Sequence, residues 1–208
     1  MTRLRGYVIT LTVLLSLLLA VNLNLSLNGV CTFDPIYAVV VTLFGTLFLI
    51  LIDAITAWLT QRLPKKWLNP YFWGYKVFKF EHRLYEIFGI RKWKDRIPEL
   101  GGLLKKFSKS HLQQRTPQYI YRFITETICG EMAHTWSIIT GALIFVILPN
   151  YTLNFALPLF LINAYLNLLP AMVQRYNRPK LCKMYERLLV KTEEILYNDS
   201  NKTLQSEH

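Results

Sequence analysis

Four apolar segments constrain this chain more than any other feature of its sequence. They cover about residues 7–27, 36–59, 134–148 and 153–173. Because a helix needs about 20 apolar residues to cross the hydrocarbon core of a bilayer, the first, second and fourth segments are long enough alone. The third is short, but the helix that leads into it supplies the missing length. The pattern predicts an all-α integral membrane protein with four transmembrane helices plus cytoplasmic or interfacial amphipathic helices.

The composition agrees with a membrane protein. Of the 208 residues, 52% are hydrophobic, and the mean hydropathy is +0.25. Both values are typical of an integral membrane protein rather than a soluble domain. We expect residues 1–208 to form a single membrane domain. Its three cysteines lie far apart in the sequence and on different sides of the predicted membrane, so we interpret them as packing residues.

The positions of lysine and arginine predict the orientation. Two of them precede the first apolar segment, 15 lie within residues 61–133 and seven follow Gln174. With four spans, all 24 fall on one side of the membrane, and the positive-inside rule places that side in the cytoplasm. We therefore predict a multi-pass protein of the cell membrane. Both termini, the loop at 61–133 and the tail at 174–208 are cytoplasmic in this prediction.

This charge distribution also bears on the partners. Basic segments that flank membrane spans contact anionic lipid headgroups, which accounts for the net charge of +11 without a nucleic acid. Aromatic residues are interleaved with basic ones between residues 69 and 88, and a helix there has one apolar face. That face carries Val77, Phe80, Leu84, Ile87 and Phe88. Such a helix lies in the membrane interface, so the predicted partners are membrane lipids and not nucleic acid.

A glycine and a proline are predicted to mark the ends of helices in the loop. Gly89 follows the aromatic amphipathic helix and is predicted to end it as a cap. Pro117 is predicted to begin a helix that runs without a break into the third span.

The sequence TETICGEMAH, residues 125–134, contains the first candidate site. On a helix with Glu126 at 0°, His134 falls at about 80° and Glu131 at about 140°. The imidazole thus lies between two carboxylates, and Gly130 opens that face to a ligand. A carboxylate bonded to one ring nitrogen raises the basicity of the other, as in a general base acting on a hydroxyl. We predict a catalytic His134 that is oriented by Glu131 or Glu126.

Two other interpretations of this cluster stay open. It is also consistent with an interfacial polar cluster that pairs with nearby arginines. Glu131 and His134 also have the i,i+3 spacing of a metal motif, so a metal site is possible. We assign no metal ligands, because di-iron helical bundles use two such motifs and this chain has one. Asp53 is the unusual residue of the second span; an intramembrane carboxylate is a functional candidate, or it pairs with an arginine at the interface.

A second candidate site follows the fourth span. Asn163 and Asn167 share one face of that helix, and Pro170 is predicted to kink its end. The amides and arginines that follow can hold a phosphate, a carboxylate or a sugar, although a simple positive-inside anchor also explains the arginines. Together with two residues of the loop, the predicted substrate-binding set is Asn167, Gln174, Arg175, Asn177, Arg178, Trp93 and Lys94.

Three stretches, IFGIRKWKDRIPELGG, ETICGEMAH and LPAMVQRYNRPKL, carry a resemblance to a known family. Over about residues 69–181 the chain resembles the small membrane acyltransferases typified by glycosyl-4,4'-diaponeurosporenoate acyltransferase. Lys180 stands where the family motif has arginine. The resemblance implies that a fatty acyl chain is moved onto a sugar hydroxyl of a membrane-embedded glycolipid.

The resemblance and the residues together predict an acyltransferase at the cytoplasmic face. His134 is the predicted base, and Arg175, Asn177 and Arg178, with Lys94, are predicted to bind the donor phosphate or to stabilise the oxyanion. The expected acyl donor is acyl-CoA or an acyl carrier protein, with no other cofactor. The alternatives are a methyltransferase acting on a prenyl or lipid carboxylate and a non-catalytic lipid-binding protein. No histidine is followed by aspartate five residues later, so the HxxxxD arrangement of common glycerolipid acyltransferases is absent.

Overall fold

The computed structural model describes residues 2–97 and 116–206, and residues 98–115 of the predicted loop lie outside this description. The described residues contain helices and no strand, which confirms the predicted all-α class. The helices are α1 Thr2–Leu27, α2 Pro35–Gln61, α3 Lys79–Ile87, α4 Ile90–Trp93, α5 Pro117–Gly141, α6 Ile144–Ile147 and α7 Leu157–Ser206. Short 3₁₀ turns cover Lys65–Trp67, Trp73–Tyr75 and Lys94–Arg96, and a π-helical turn at Thr152–Ala156 leads into α7.

Four helical segments are long and apolar enough to cross a membrane, as the sequence predicted. They cover Val8–Leu27, Pro35–Gln61, Pro117–Ile147 and Thr152–Tyr197. The third begins at Pro117, so the helix before the short apolar segment does supply the missing length. Thr116 caps this helix, since its hydroxyl accepts a hydrogen bond from the backbone N–H of Tyr119 at 3.3 Å.

The fourth span continues further than the sequence indicated. Helix α7 runs through Pro170 and Pro179 to Ser206, so residue 174 is not a helix end. Each proline removes one backbone hydrogen bond and restricts the residue before it. The apolar segment and the amphipathic C-terminal segment therefore form one long helix, and the polar residues at 174–178 keep a helical register with Asn163 and Asn167.

The long helices pack as sequential antiparallel neighbours, α1 on α2, α2 on α5 and α5 on α7. The lysines and arginines of the described residues lie at one end of this bundle, which we call the basic end. At the opposite end, which we call the far end, Phe33, Tyr37, Tyr151 and Phe155 form an aromatic cluster with ring centroids 5.1–6.2 Å apart. The far-end turns are thereby held together without any basic residue.

Helix α3 has an unusual orientation for a water-soluble protein. Its apolar side chains point outward: Phe80 is 69% exposed and Ile87 is 74% exposed. Its polar side is turned toward α7, where Tyr85 is buried. In water this arrangement would expose the wrong face, whereas a membrane interface solvates aromatic side chains on that side. Gly89, at φ +63°, ends the helix as predicted and turns the chain into α4.

Gly141 marks a very tight contact of the bundle. A Cβ atom there would lie 2.6 Å from Asn163 Nδ2 and 3.6 Å from a methyl group of Leu49, so α2, α5 and α7 all meet at this residue. We expect Gly141→Ala to lower the free energy of unfolding by about 1–3 kcal/mol, because overpacking forces Asn163 away from its place. Gly6→Ala is the matched control, since a Cβ there has nothing within 4 Å. Thermal unfolding of both variants in detergent checks this; equal midpoints would contradict it.

Candidate active site

A polar layer joins α2, α5 and α7 inside the apolar bundle. It contains Asp53 of α2, His134 of α5 and Asn167 of α7. At 1.5 Å rise per residue, these three lie about 20–27 Å from the far-end turns, against a hydrocarbon core of about 30 Å. The layer is therefore near the basic end.

His134 is held by an amide of α7. Its Nδ1 lies 2.8 Å from Asn167 Oδ1, and the imidazole is half-buried. An amide oxygen only accepts hydrogen bonds, so Nδ1 carries the proton and donates it. The basic lone pair of the neutral imidazole is then on Nε2. The structure thus gives His134 the tautomer that a general base needs.

Asn167 is the centre of this layer. Its Nδ2 lies 3.0 Å from Asp53 Oδ2, 3.0 Å from Asn163 Oδ1 and 3.1 Å from the backbone oxygen of Asn163. The side chain is buried. We predicted Asn167 to bind substrate, but its amide contacts neighbouring protein groups through both of its polar atoms. Its geometry is that of a residue that orients His134.

A second set of contacts braces the layer. Thr56 Oγ1 and Ser137 Oγ are 2.6 Å apart, and Asn163 Nδ2 donates to the backbone oxygen of Ser137 at 3.3 Å. All three side chains are buried. Buried hydroxyls and amides are costly unless they are paired, so these pairs fix the rotation of α2, α5 and α7 against each other.

One turn toward the basic end, Glu131 binds two arginines of α7. Arg175 donates to Glu131 Oε1 at 2.5 Å, and Arg178 donates to Glu131 Oε2 at 2.5 Å. Arg175 also donates two hydrogen bonds to the carboxylate of Glu81 in α3, from Nε to Oε2 at 2.9 Å and from Nη2 to Oε1 at 3.0 Å. We call these four residues the ion cluster. Two carboxylates and two guanidiniums balance its charge, and it ties α3, α5 and α7 together.

Arg178 is the most deeply buried charge of the ion cluster, with 2% of its surface exposed. Besides Glu131 it donates to the Tyr75 backbone oxygen at 2.9 Å and to the hydroxyl and backbone oxygens of Thr127, both at 3.3 Å. We predicted that Arg175 and Arg178 bind the donor phosphate. In the structure their guanidinium groups are engaged by protein oxygens, which is the geometry of a scaffold rather than of an open anion site.

The two glutamates of the predicted catalytic cluster lie in different environments. Glu126 is exposed on α5, whereas Glu131 is buried in the ion cluster. We predicted that one of them orients His134; the structure instead gives His134 Nδ1 the amide oxygen of Asn167. Spacing places both carboxylates on the same side of α5 as the imidazole, but α7 packs only over the part that carries Glu131.

The remaining predicted residues lie on the basic end of α7 and on the adjoining loop. Gln174 packs over Gly130, with its Nε2 3.4 Å from where a Cβ would be, so the expected gap at Gly130 is filled by this amide. Lys94 Nζ lies 3.4 Å from Asn177 Oδ1 and 5.5 Å from the ring centroid of Tyr176. Trp93 Nε1 donates to the backbone oxygen of Phe88 at 3.0 Å and so braces the turn between α3 and α4.

Two tyrosines of the loop support the ion cluster from outside the spans. Burial, together with the charge of Glu131, raises the pKa of the Tyr75 phenol, and burial together with Glu81 raises that of Tyr85. Both phenols are therefore protonated at neutral pH. The Tyr85 hydroxyl donates to Glu81 Oε2 at 3.4 Å, and the Tyr75 hydroxyl contacts Met132 Sδ at 3.2 Å.

Within residues 2–97 and 116–206, no group of three histidine, cysteine, aspartate or glutamate side chains is placed to hold a metal ion. Glu131 and His134, which have the spacing of a metal motif, are bound by arginines and by Asn167 respectively.

Two contacts were not predicted from the sequence. Asp53 was expected to be a functional residue or to pair with an arginine; in the structure it binds Asn167. Glu81 of α3 holds Arg175, a contact between distant segments that helical spacing does not indicate. One sequence feature marks Asp53 as a candidate for such a contact: it is the only acidic or basic residue of α2.

Known proteins share sequence similarity with this chain. A family model described as glycosyl-4,4'-diaponeurosporenoate acyltransferase matches residues 64–187. A protein of that name from Staphylococcus haemolyticus (strain JCSC1435) is 31% identical over 137 residues, which cover 64% of this chain and 77% of the relative. Another from Staphylococcus aureus (strain Newman) is 28% identical over 162 residues, covering 72% and 91% respectively. No solved structure matches the chain.

The matched region extends from the loop after α2 to the basic half of α7. It contains α3, the whole of α5, His134, Asn167 and the ion cluster. The chain belongs to the glycosyl-4,4'-diaponeurosporenoate acyltransferase family.

Proposed function

We propose that this protein transfers a fatty acyl group from a thioester donor to a hydroxyl of a membrane-held glycolipid. The single observation that supports the chemistry best is the 2.8 Å contact between His134 Nδ1 and Asn167 Oδ1, which leaves the imidazole lone pair on Nε2. The family supplies the reaction class. The relatives are named for glycosyl-4,4'-diaponeurosporenoate, and we propose a carotenoid glycoside as the acceptor class here as well.

His134 acts as general base and then as general acid. Nε2 takes the proton of the acceptor hydroxyl while the hydroxyl oxygen attacks the carbonyl carbon of the thioester. The tetrahedral intermediate then collapses, the C–S bond breaks, and the leaving thiolate takes the proton back from the imidazolium. Asn167 holds the ring during both transfers because its amide oxygen accepts the Nδ1 proton throughout.

Residues beside the ion cluster, rather than its arginines, bind the acyl donor. Lys94 carries three N–H donors and contacts Asn177 at the half-buried edge of the basic end, which suits a phosphate of acyl-CoA or of a carrier-protein prosthetic group. Gln174 lies over Gly130, one turn of α5 from His134, and its amide is a donor for the oxyanion. Arg175 and Arg178 keep α3, α5 and α7 in register.

The membrane supplies the acceptor and orients the site. The basic end carries the lysines and arginines that flank the spans, so it faces the cytoplasm of a cell membrane, with both termini on that side. A water-borne acyl donor then approaches from the cytoplasm. The acceptor approaches within the leaflet, past the outward aromatic face of α3, of which Phe80 and Ile87 are part.

The test is acyl transfer by the purified protein in lipid nanodiscs. Radiolabelled palmitoyl-CoA and glycosyl-4,4'-diaponeurosporenoate are the probes, and mass spectrometry follows the product. We expect the acceptor to gain one acyl chain, with release of free CoA thiol in equal amount. The aglycone without sugar is the control and should gain none. If neither palmitoyl-CoA nor palmitoyl carrier protein yields an acylated glycoside, the proposed function is wrong.

A further inference from the structure

Asp53 is the feature that the proposed function leaves unexplained. It is the only charged side chain of α2 and lies about two-thirds of the way along that helix, in the part nearer the basic end. A carboxylate in a membrane span is costly and is retained where it pairs or acts. Its Oδ1 is buried and accepts no hydrogen bond from the residues that the structure describes, and no arginine among those residues pairs with it.

The geometry links this carboxylate to the imidazole through one amide. Asn167 Nδ2 lies 3.0 Å from Asp53 Oδ2, and Asn167 Oδ1 lies 2.8 Å from His134 Nδ1. A carboxylate only accepts, so the amide must turn its NH₂ group toward Asp53 and its oxygen toward His134. Asn163 offers the same NH₂ group two further acceptors, which favours the same orientation.

The charge of Asp53 therefore acts on His134 through a fixed hydrogen-bonded link. Within a membrane span, a negative group that is joined to the imidazole through a single amide stabilises the imidazolium that forms when the base takes its proton. The other ionisable groups near this face are Glu131, Arg175 and Arg178 of the ion cluster and Tyr75 of the loop. Those three ions are paired with one another and with Glu81, so their effect on His134 is the same in any variant of Asp53.

We propose that Asp53 is a positioning residue of this site, which acts on His134 through Asn167 to fix its tautomer and to stabilise its protonated form. The proposal rests on the proposed function, in which His134 is the base. It adds a residue from outside the region that the family model matches, since α2 ends at Gln61 and the match begins at residue 64.

The test measures the titration of His134 directly, independently of turnover. Protein with ¹³C-labelled histidine is titrated in detergent micelles by NMR, and the His134 signal is assigned by its loss in His134→Gln. In Asp53→Asn we expect the midpoint of His134 to fall by about one pH unit, because the charge is removed while an amide oxygen still accepts from Asn167. An unmoved midpoint overturns the proposal.

Exchanging the side chains of Asp53 and Asn167 tests whether the shift of the His134 midpoint comes from the lost charge or from an altered structure. The double variant Asp53→Asn, Asn167→Asp keeps one carboxylate and one amide but moves the carboxylate next to Nδ1. We expect its His134 midpoint to return to the value of the unchanged protein or above it; a midpoint as low as that of Asp53→Asn counts against the link. Should Asp53→Asn not fold, Asp53→Ser serves in its place, because its hydroxyl still accepts from Asn167 without charge.

Thr56→Val is the matched control, one turn further along α2 in the same buried layer. It breaks the Thr56–Ser137 contact of 2.6 Å but changes no charge, so it lowers stability and leaves the midpoint of His134 in place. If the His134 midpoint fell in Thr56→Val as much as in Asp53→Asn, the loss of any polar contact in the layer would lower it, and the proposal would be overturned.

Acyl transfer by the same proteins distinguishes the two proposals. In Asp53→Asn the maximal rate should fall about tenfold, and the acidic limb of the pH–rate profile should move to lower pH with the midpoint of His134. A moved midpoint in a protein that transfers no acyl group supports the role of Asp53 and rejects the proposed function. An active protein whose midpoint does not move in Asp53→Asn rejects the role of Asp53 alone.

Discussion

Replacing His134 with alanine should lower kcat for acyl transfer by about 10²- to 10⁴-fold, the usual contribution of a positioned general base. KM for both substrates should change little, because the proton transfer to Nε2 stabilises the transition state and not the bound substrate. The measurement is the initial rate of glycoside acylation in nanodiscs at several concentrations of palmitoyl-CoA.

Glu126→Gln is the matched control for His134→Ala. Glu126 lies on the same helix and was part of the same predicted cluster, but it is exposed. Its replacement should leave kcat within about twofold, since an exposed side chain away from the reacting atoms contributes little. If His134→Ala retained the full rate while Glu126→Gln lost it, the base would have been assigned to the wrong residue of α5.

Replacing Arg178 with methionine should destabilise the protein by about 3–5 kcal/mol, which is the cost of breaking a buried ion pair from one side. The variant leaves one oxygen of Glu131 without its guanidinium, and it leaves the backbone oxygens of Tyr75 and Thr127 without the donors they have now. The free energy of unfolding, measured by titration with SDS in mixed micelles, checks this value.

Two further variants identify the cause of that loss. Arg187→Met removes an exposed arginine of the same helix and should change the unfolding free energy by less than about 0.5 kcal/mol. The double variant Arg178→Met, Glu131→Gln should recover part of the stability, because it also removes the carboxylate that lost one of its two arginine partners. A stable Arg178→Met protein with a raised KM for palmitoyl-CoA would instead support the donor-binding role predicted from the sequence.

The spans and the helical class were predictable because their causes act along the chain. A bilayer requires about 20 apolar residues per crossing and leaves basic residues on one side, and both requirements can be evaluated on the sequence. The start of α5 at Pro117 and the cap at Gly89 follow likewise from local backbone geometry. The length of α7 was not predictable in this way, because prolines in a membrane helix do not always end it.

The candidate site was predictable in its location but not in its pairing. His134, Glu131, Asn167, Arg175 and Arg178 were all identified from residue type and spacing, and the structure brings them to adjoining turns of α5 and α7. Helical spacing gives the angle of a side chain about its own helix, but the partner depends on the rotation and register of the helix packed against it. For that reason the orienting group of His134 was assigned to a glutamate instead of to Asn167.

The sequence by itself determined that the protein is helical, that it has four apolar spans with its basic residues on one side, and that its polar cluster lies near the basic end. Only the tertiary structure decided that Arg175 and Arg178 are engaged by Glu81 and Glu131, and that Asp53 reaches His134 through Asn167. The physical reason is that hydrophobic length and charge bias are properties of a segment. A hydrogen bond between α2 and α7 depends on how two distant segments pack.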